Sequence, residues 1–213
     1  TDAMILRAHE AVDRFVGDPA IRSLVIASAA PGRFCAGADL SEIRARKAAD
    51  GFTVPSLAFF DRLASLPIPV VAAVGGPAVA GGLELALACD VRVASPAARF
   101  ALPETRLGIL PAAGATWRLP AAVGQSMARE MILLGRSLDA DEALAAGLVS
   151  AVVPEDALRA RALEIARRAA DLDRDAVAAA KDALSRAGSG DDGRAFVAET
   201  QARFYGRRQE GPS

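Results

Sequence analysis

The sequence predicts an α/β fold that ends in a run of helices, and three observations carry that prediction. Residues 23–27, 70–74, 90–94 and 148–153 are short strand-like runs of the length expected for buried strands, the first two rich in β-branched residues. Segments with apolar residues at helical spacing alternate with these runs, the pattern of a mixed sheet-and-helix core. After Pro154 only helical patterns remain.

Composition narrows the function. The chain has 213 residues, enough for one large domain or a core with an appendage, and is 52% hydrophobic with a formal net charge of −1. Acid and base balance, which argues against nucleic acid or an anionic membrane as the main partner. Charged residues interrupt every apolar run well short of a membrane span, and the opening residues TDAMILRAHEAVDR lack the apolar block of a signal peptide. Two cysteines, Cys35 and Cys89, cannot build a disulfide framework and fit a reducing compartment, most simply a bacterial cytosol. The single histidine, His9, lies on the first amphipathic segment, where a structural role on the surface is expected. No histidine-rich metal site or phosphate loop can be assembled, so acid/base chemistry falls mainly to carboxylates.

In chain order, Met4, Ala8, Ala11, Val12 and Phe15 define a helix ended by Gly17-Asp18-Pro19. The strand at 23–27 leads through Pro31-Gly32 into FCAGADL at 34–40, where Asp39 or Ser41 can cap the next helix. Helices are expected at 41–50 and 55–66, with Phe52, Phe59 and Phe60 as pocket candidates against the commoner fate of core packing. Val70 to Val74 form a strand broken by Gly75-Gly76-Pro77, and Gly81-Gly82 open the helical segment LELALA. Further helices are expected at 126–134 and 139–145. Leu158, Ala162, Ile165, Ala166 and Ala169 mark one C-terminal helix, Val177, Ala180, Lys181 and Leu184 a second, and 196–205 a third. Arg92 and Arg99 read as surface or interface charges. Arginines 159, 161, 167 and 168 alternate with acids and read as a solvated helix face.

The chemistry concentrates between Pro69 and Pro111. A glycine pair opening a helix presents backbone N–H groups without intrahelical partners, with the positive end of the helix dipole behind them. Such a terminus can hold a developing oxyanion. Glu84 lies in that first turn, and Glu104 follows in the turn LPET, twenty residues further on (104 − 84). Taken singly, each acid is more readily structural: one favoured by the dipole, the other a surface acid near a helix start. Together they suggest acid/base work on a carbonyl compound.

PVVAAVGGPAVAGGLELALACD, the following ARFALPETRLGILP and the upstream FCAGADL together resemble the crotonase superfamily, in particular its enoyl-CoA hydratases, over roughly residues 3–205. The resemblance implies a crotonase (ClpP-like) spiral of ββα units over 1–150 and a helical trimerisation region over 151–213. It implies Glu84 and Glu104 as the catalytic pair, and the N–H groups of Ala36 and Gly81 as the oxyanion hole. Ala36, Gly37, Ala38, Asp39, Leu40 and Gly81 are then the expected coenzyme A contacts, with coenzyme A part of the substrate and no other cofactor and no metal. Trimers pairing into hexamers are expected. Family members also carry strands before the first helix and a further helix after the last, so coenzyme contacts borne there have no counterpart in this sequence.

The chain departs from the family pattern at Gly75, usually Asn, at Ala80, Ala112 and Ala115, usually glycines, and at Trp117, usually Gln. The added Cβ atoms are expected to narrow the space near the thioester. Retention of both glutamates argues for hydration, while the glycine-to-alanine changes leave room for a Δ3-Δ2-enoyl-CoA isomerase, hydrolase or decarboxylase on the same scaffold. The RNA binding reported for some relatives would want a basic stripe, which arginines alternating with acids do not supply.

Overall fold

The apolar run at 70–74 is the centre of the sheet. The computed structural model describes residues 2–45, 54–186 and 191–209. Its helices are α1 (Asp2–Val16), α2 (Leu40–Ala45), α3 (Pro55–Ala64), α4 (Gly81–Leu87), α5 (Ala115–Leu134), α6 (Ala140–Ala145), α7 (Glu155–Ala170), α8 (Arg174–Arg186) and α9 (Asp191–Gln209). Its strands are β1 (Leu24–Ala27), β2 (Val70–Val74), β3 (Pro77–Val79), β4 (Val91–Ala94), β5 (Arg99–Ala101), β6 (Leu138–Asp139) and β7 (Ala151–Val152).

A four-stranded parallel sheet runs β1-β2-β4-β7, and a smaller sheet runs β3-β5-β6 with β6 antiparallel to β5. Every residue of β2 is buried, because both faces of a parallel sheet are covered. The pleat sends its side chains alternately to two cores. Val71 and Ala73 meet Val93 and the Leu158, Ala162 and Ala166 stripe of α7. Val70, Ala72 and Val74 join the main core with Leu63, Leu83 and Phe100, each fully buried. Truncating such a leucine to alanine costs about 2–5 kcal/mol.

Several expectations change once packing is visible. In α1 the inward face is Ile5, Ala8, Val12 and Val16, while Met4 and Phe15 are exposed. His9 is half-buried, its ring edge-on to Phe59 at 4.9 Å. Phe59 and Phe60 are core residues, and Phe52 lies outside the described residues. The strands β3, β5 and β6 are two or three residues long, too short for a period to register. The helix expected from 126 begins at Ala115, carries Pro120, and is kinked at Gly124, whose φ of 77° and ψ of 163° are not helical. The division at residue 150 cuts across the packing, since β7 pairs with β4 and α7 covers the sheet.

Arg92 is no surface charge. Its guanidinium donates to the carbonyls of Leu148 (2.7 Å), Cys89 (2.6 Å) and Ala86 (3.3 Å), tying down the C-terminal end of α4. A cation at that end also complements the helix dipole. Arg99 is exposed, as expected. Asp90 accepts from the N–H of Val70 and from Lys181 Nζ, both at 2.7 Å, and so fastens α8 to the start of the central strand.

Candidate active site

The break after β2 determines where the chemistry can sit. Gly75 and Gly76 end the strand, β3 crosses into the smaller sheet, and Gly81 opens α4. Cys35 joins β3 by a parallel bridge to Ala78, with its N–H on Pro77 O (3.2 Å) and its carbonyl taking Val79 N–H (3.1 Å). That bridge lays the FCAGADL turn against the start of α4. A Cβ on Gly37 would stand 2.8 Å from Val79 O and 3.3 Å from Gly81 N, and one on Gly82 would stand 1.8 Å from Cys35 O. Only glycine permits these approaches. Gly81 has open space instead, its nearest neighbour to such an atom being Gly37 Cα at 3.9 Å.

Ala80 precedes Gly81 with φ 52° and ψ −125°, a conformation that a side chain strongly disfavours. Three hydrogen bonds hold it there: its N–H to Ala101 O at 2.9 Å, and its carbonyl to the N–H groups of Leu83 (2.9 Å) and Glu84 (3.1 Å). The third glycine of the family pattern is thus replaced by a residue held under strain of about 1–3 kcal/mol.

Glu84 is buried, 4% exposed, and its Oε1 accepts from the N–H groups of Ala113 (2.7 Å) and Ala115 (3.2 Å). Burial raises its pKa, while the two N–H groups and the nearby Arg118 cation oppose that rise. Glu104 opens a 3-10 turn, Glu104–Leu107, and is 6% exposed. Its Oε2 is buried and takes no hydrogen bond among the described residues. Burial raises its pKa to about 7, with the Glu84 charge adding to the effect. The two expected acids therefore face one another electrostatically, one solvated by peptide groups and the other poised to hold a proton.

The donors on Glu84 are what the sequence reading missed. Ala115 is fully buried as the first residue of α5 with its N–H on Glu84, and Ala112 is exposed. Gly75 leaves room for the Glu155 carboxylate, since a Cβ there would lie 2.9 Å from Glu155 Oε1, the same oxygen that accepts from Gly32 N–H at 2.9 Å. The one sequence cue to the donors is the small-residue run AAGA before a helix.

Of the other expected contacts, Ala36, Ala38 and Asp39 are exposed and Gly37 is half-buried with φ 86°. Asp39 caps α2 through the N–H of Ser41 at 2.7 Å, which with the Ser41 hydroxyl lowers its pKa, and Leu40 is the first residue of that helix. Trp117 lines a groove of about 1160 Å³ between α3, α5, α8 and α9, to which neither glutamate contributes. Among the described residues no helix is long and apolar enough to cross a membrane, and no cluster of three His, Cys, Asp or Glu could hold a metal.

The sequence and the fold have counterparts among known proteins. Methylglutaconyl-CoA hydratase, mitochondrial, of Homo sapiens is 45% identical over 171 residues, 77% of this chain and 50% of that protein. A probable enoyl-CoA hydratase of Mycobacterium tuberculosis is 42% identical over 170 residues, 80% of this chain and 66% of its own length. The chain thus spans about half the length of the mitochondrial relatives it matches. Among solved structures, the enoyl-CoA hydratase of Bacillus anthracis superposes with a TM-score of 0.88 at 34% identity, covering 95% of this chain and 80% of that one. An enoyl-CoA hydratase/isomerase from Cupriavidus metallidurans gives 0.87 at 36%, covering 95% and 78%. The crotonase-type fold expected from the motifs is therefore the fold observed. With the model of the enoyl-CoA hydratase/isomerase family matching residues 1–210, the chain belongs to that family.

Proposed function

We propose that the chain is a hydro-lyase, adding water across the 2,3 double bond of a trans-2-enoyl-CoA to give the 3-hydroxyacyl-CoA. The observation that carries this reading is the unlike pair of buried carboxylates: Glu84 held by two peptide N–H groups, and Glu104 with an unpartnered oxygen and a pKa of about 7. One site then holds a base and an acid at neutral pH.

In this mechanism the thioester oxygen lies between the N–H groups of Ala36 and Gly81, which stabilise the enolate-like charge of the transition state. Losing one such donor costs about 3–4 kcal/mol of barrier. Glu84 Oε1 is occupied by the 113–115 turn, leaving Oε2 to take a proton from water as its oxygen bonds to Cβ. Protonated Glu104 delivers its proton to Cα. One water is consumed, Glu84 ends protonated and Glu104 ionised, and exchange with solvent restores both. Coenzyme A enters as part of the substrate along the Ala36–Leu40 backbone and Gly81, and the reading uses no metal and no further cofactor.

The reading includes self-association through the C-terminal helices, as a trimer or hexamer. Leu172, Leu184, Val197 and Tyr205 each lie at least half exposed there, which supports it.

The test is loss of the conjugated enoyl absorbance on adding the protein to crotonyl-CoA, with methylglutaconyl-CoA and a 3-enoyl-CoA in parallel. Hydration of either 2-enoyl thioester is the expected result. Inertness toward both, with turnover of the 3-enoyl-CoA, would replace hydration by double-bond isomerisation, which needs only one base.

A further inference from the structure

Glu84 is held by a turn, and the turn is itself held. Residues 113–115 give two N–H groups to Glu84 Oε1, while on the other side the Ala113 carbonyl accepts from Arg118 Nη1 at 3.2 Å. The Arg118 guanidinium lies directly over Gly114. A Cβ on that residue would fall 1.9 Å from Nη1 and 2.9 Å from Cζ, and its φ of 116° is glycine's territory. The second arm of the fork reaches Asp61 on α3, Nη2 to Oδ1 at 2.5 Å. The Trp117 ring flanks the same cation, its centroid 5.4 Å from Cζ. The arginine side chain is 15% exposed, while its partners Asp61 and Trp117 are about half exposed on the groove side.

We infer that Arg118 is a positioning residue of the candidate site: anchored by Asp61 and seated on Gly114, it fixes the Ala113–Gly114–Ala115 turn so that two N–H groups hold Glu84 as the ionised member of the pair. The inference goes beyond the acid/base assignment and rests on it for its kinetic consequences. The charged groups around Glu84 are few. Arg118 on α5 favours its ionisation, Glu84 in turn raises the pKa of Glu104 on the 3-10 turn, β3 carries no titratable side chain, and Asp61 on α3 is engaged with Arg118. A planar fork is required because one group must reach both a carbonyl and a carboxylate while lying flat on a glycine; a lysine ammonium cannot span the three.

Arg118→Gln and Arg118→Lys test this by two independent readouts. The first is the Glu84 carboxyl titration, followed by carbon NMR of labelled glutamate and assigned with Glu84→Gln. Its midpoint is expected to move up in Arg118→Gln and less in Arg118→Lys. The second is hydration of crotonyl-CoA: kcat is expected to fall about 10- to 100-fold in Arg118→Gln, with KM within about threefold. The low-pH limb of the profile is expected to move to higher pH, and Arg118→Lys to restore part of the loss. An unmoved midpoint together with a wild-type low-pH limb would overturn the inference. Should the wild type fail to hydrate any enoyl-CoA, the proposed reaction falls while the titration still decides the role of Arg118. Should Arg118→Gln fail to fold by circular dichroism, Arg118→Lys decides alone: wild-type kcat and pH profile overturn the inference, and a reduced kcat at unchanged KM supports it.

Discussion

Glu84 and Glu104 are chemically identical and buried to nearly the same degree, yet the chain surrounds them in opposite ways. Glu84 extends from the first turn of a helix into a peptide turn that gives it two N–H groups, with an arginine beyond. Glu104 begins a 3-10 turn whose surroundings leave one oxygen without a donor, and its pKa stands near 7. Burial raises both pKa values; two turn N–H groups and the Arg118 cation oppose the rise at Glu84, whereas at Glu104 only its own N–H does and the Glu84 charge adds to it. The contrast supports the proposed division into base and acid without recourse to sequence position.

The largest expected effect breaks the pair directly. Glu84→Gln and Glu104→Gln are each expected to lower kcat for crotonyl-CoA by about 10²- to 10⁴-fold, the usual worth of a positioned acid or base. Progress curves at saturating substrate decide it, and a variant retaining near wild-type kcat would remove that residue from the mechanism.

The next effect sharpens the contrast through pH. The folded state binds a proton at Glu104 more tightly than the unfolded chain does, so this contribution to stability is full below the ordinary carboxylate range. It is lost as pH rises toward and through about 7. Glu104→Gln should therefore stabilise the protein at pH 8 by at most about 3 kcal/mol and leave it nearly unchanged at pH 4. Urea unfolding at both pH values reads this directly. Glu84→Gln should gain less, because the amide gives up charge-assisted bonds from two N–H groups. By the same sign, kcat/KM should decline as pH rises through about 7, where the general acid loses its proton.

The smallest effect concerns the seat of α4. Gly82→Ala places a methyl against the Cys35 carbonyl and is expected to destabilise by about 2 kcal/mol. Gly81→Ala meets open space and should cost less, so the two melting temperatures should differ in that order. Equal melting temperatures would mean that the FCAGADL turn does not lock the helix carrying Glu84.

Much of this was legible in the sequence. The five apolar residues of β2 are few and β-branched enough to read as a buried strand, and Gly17-Asp18-Pro19 reads as a helix end, as observed. Glu84 beside Gly81 and Glu104 in LPET were readable because each lies within one turn of its own marker. The exposure of Met4 and Phe15 was not, since two faces of α1 are similarly apolar and the partner helix, α3, selects Val12. The three short strands of the smaller sheet also escaped, because at two or three residues they exist through pairing rather than periodicity.

By itself, then, the sequence indicated the longer elements, the family and the two candidate acids, each through a local motif. The tertiary structure alone decided what surrounds each acid. The N–H groups on Glu84 come from residues 29 and 31 positions away, Asp61 meets Arg118 across 57, and the bare oxygen of Glu104 is a property of everything packed around it. Hydrogen-bond partners and burial are set by where the folded chain returns, and no local pattern encodes that.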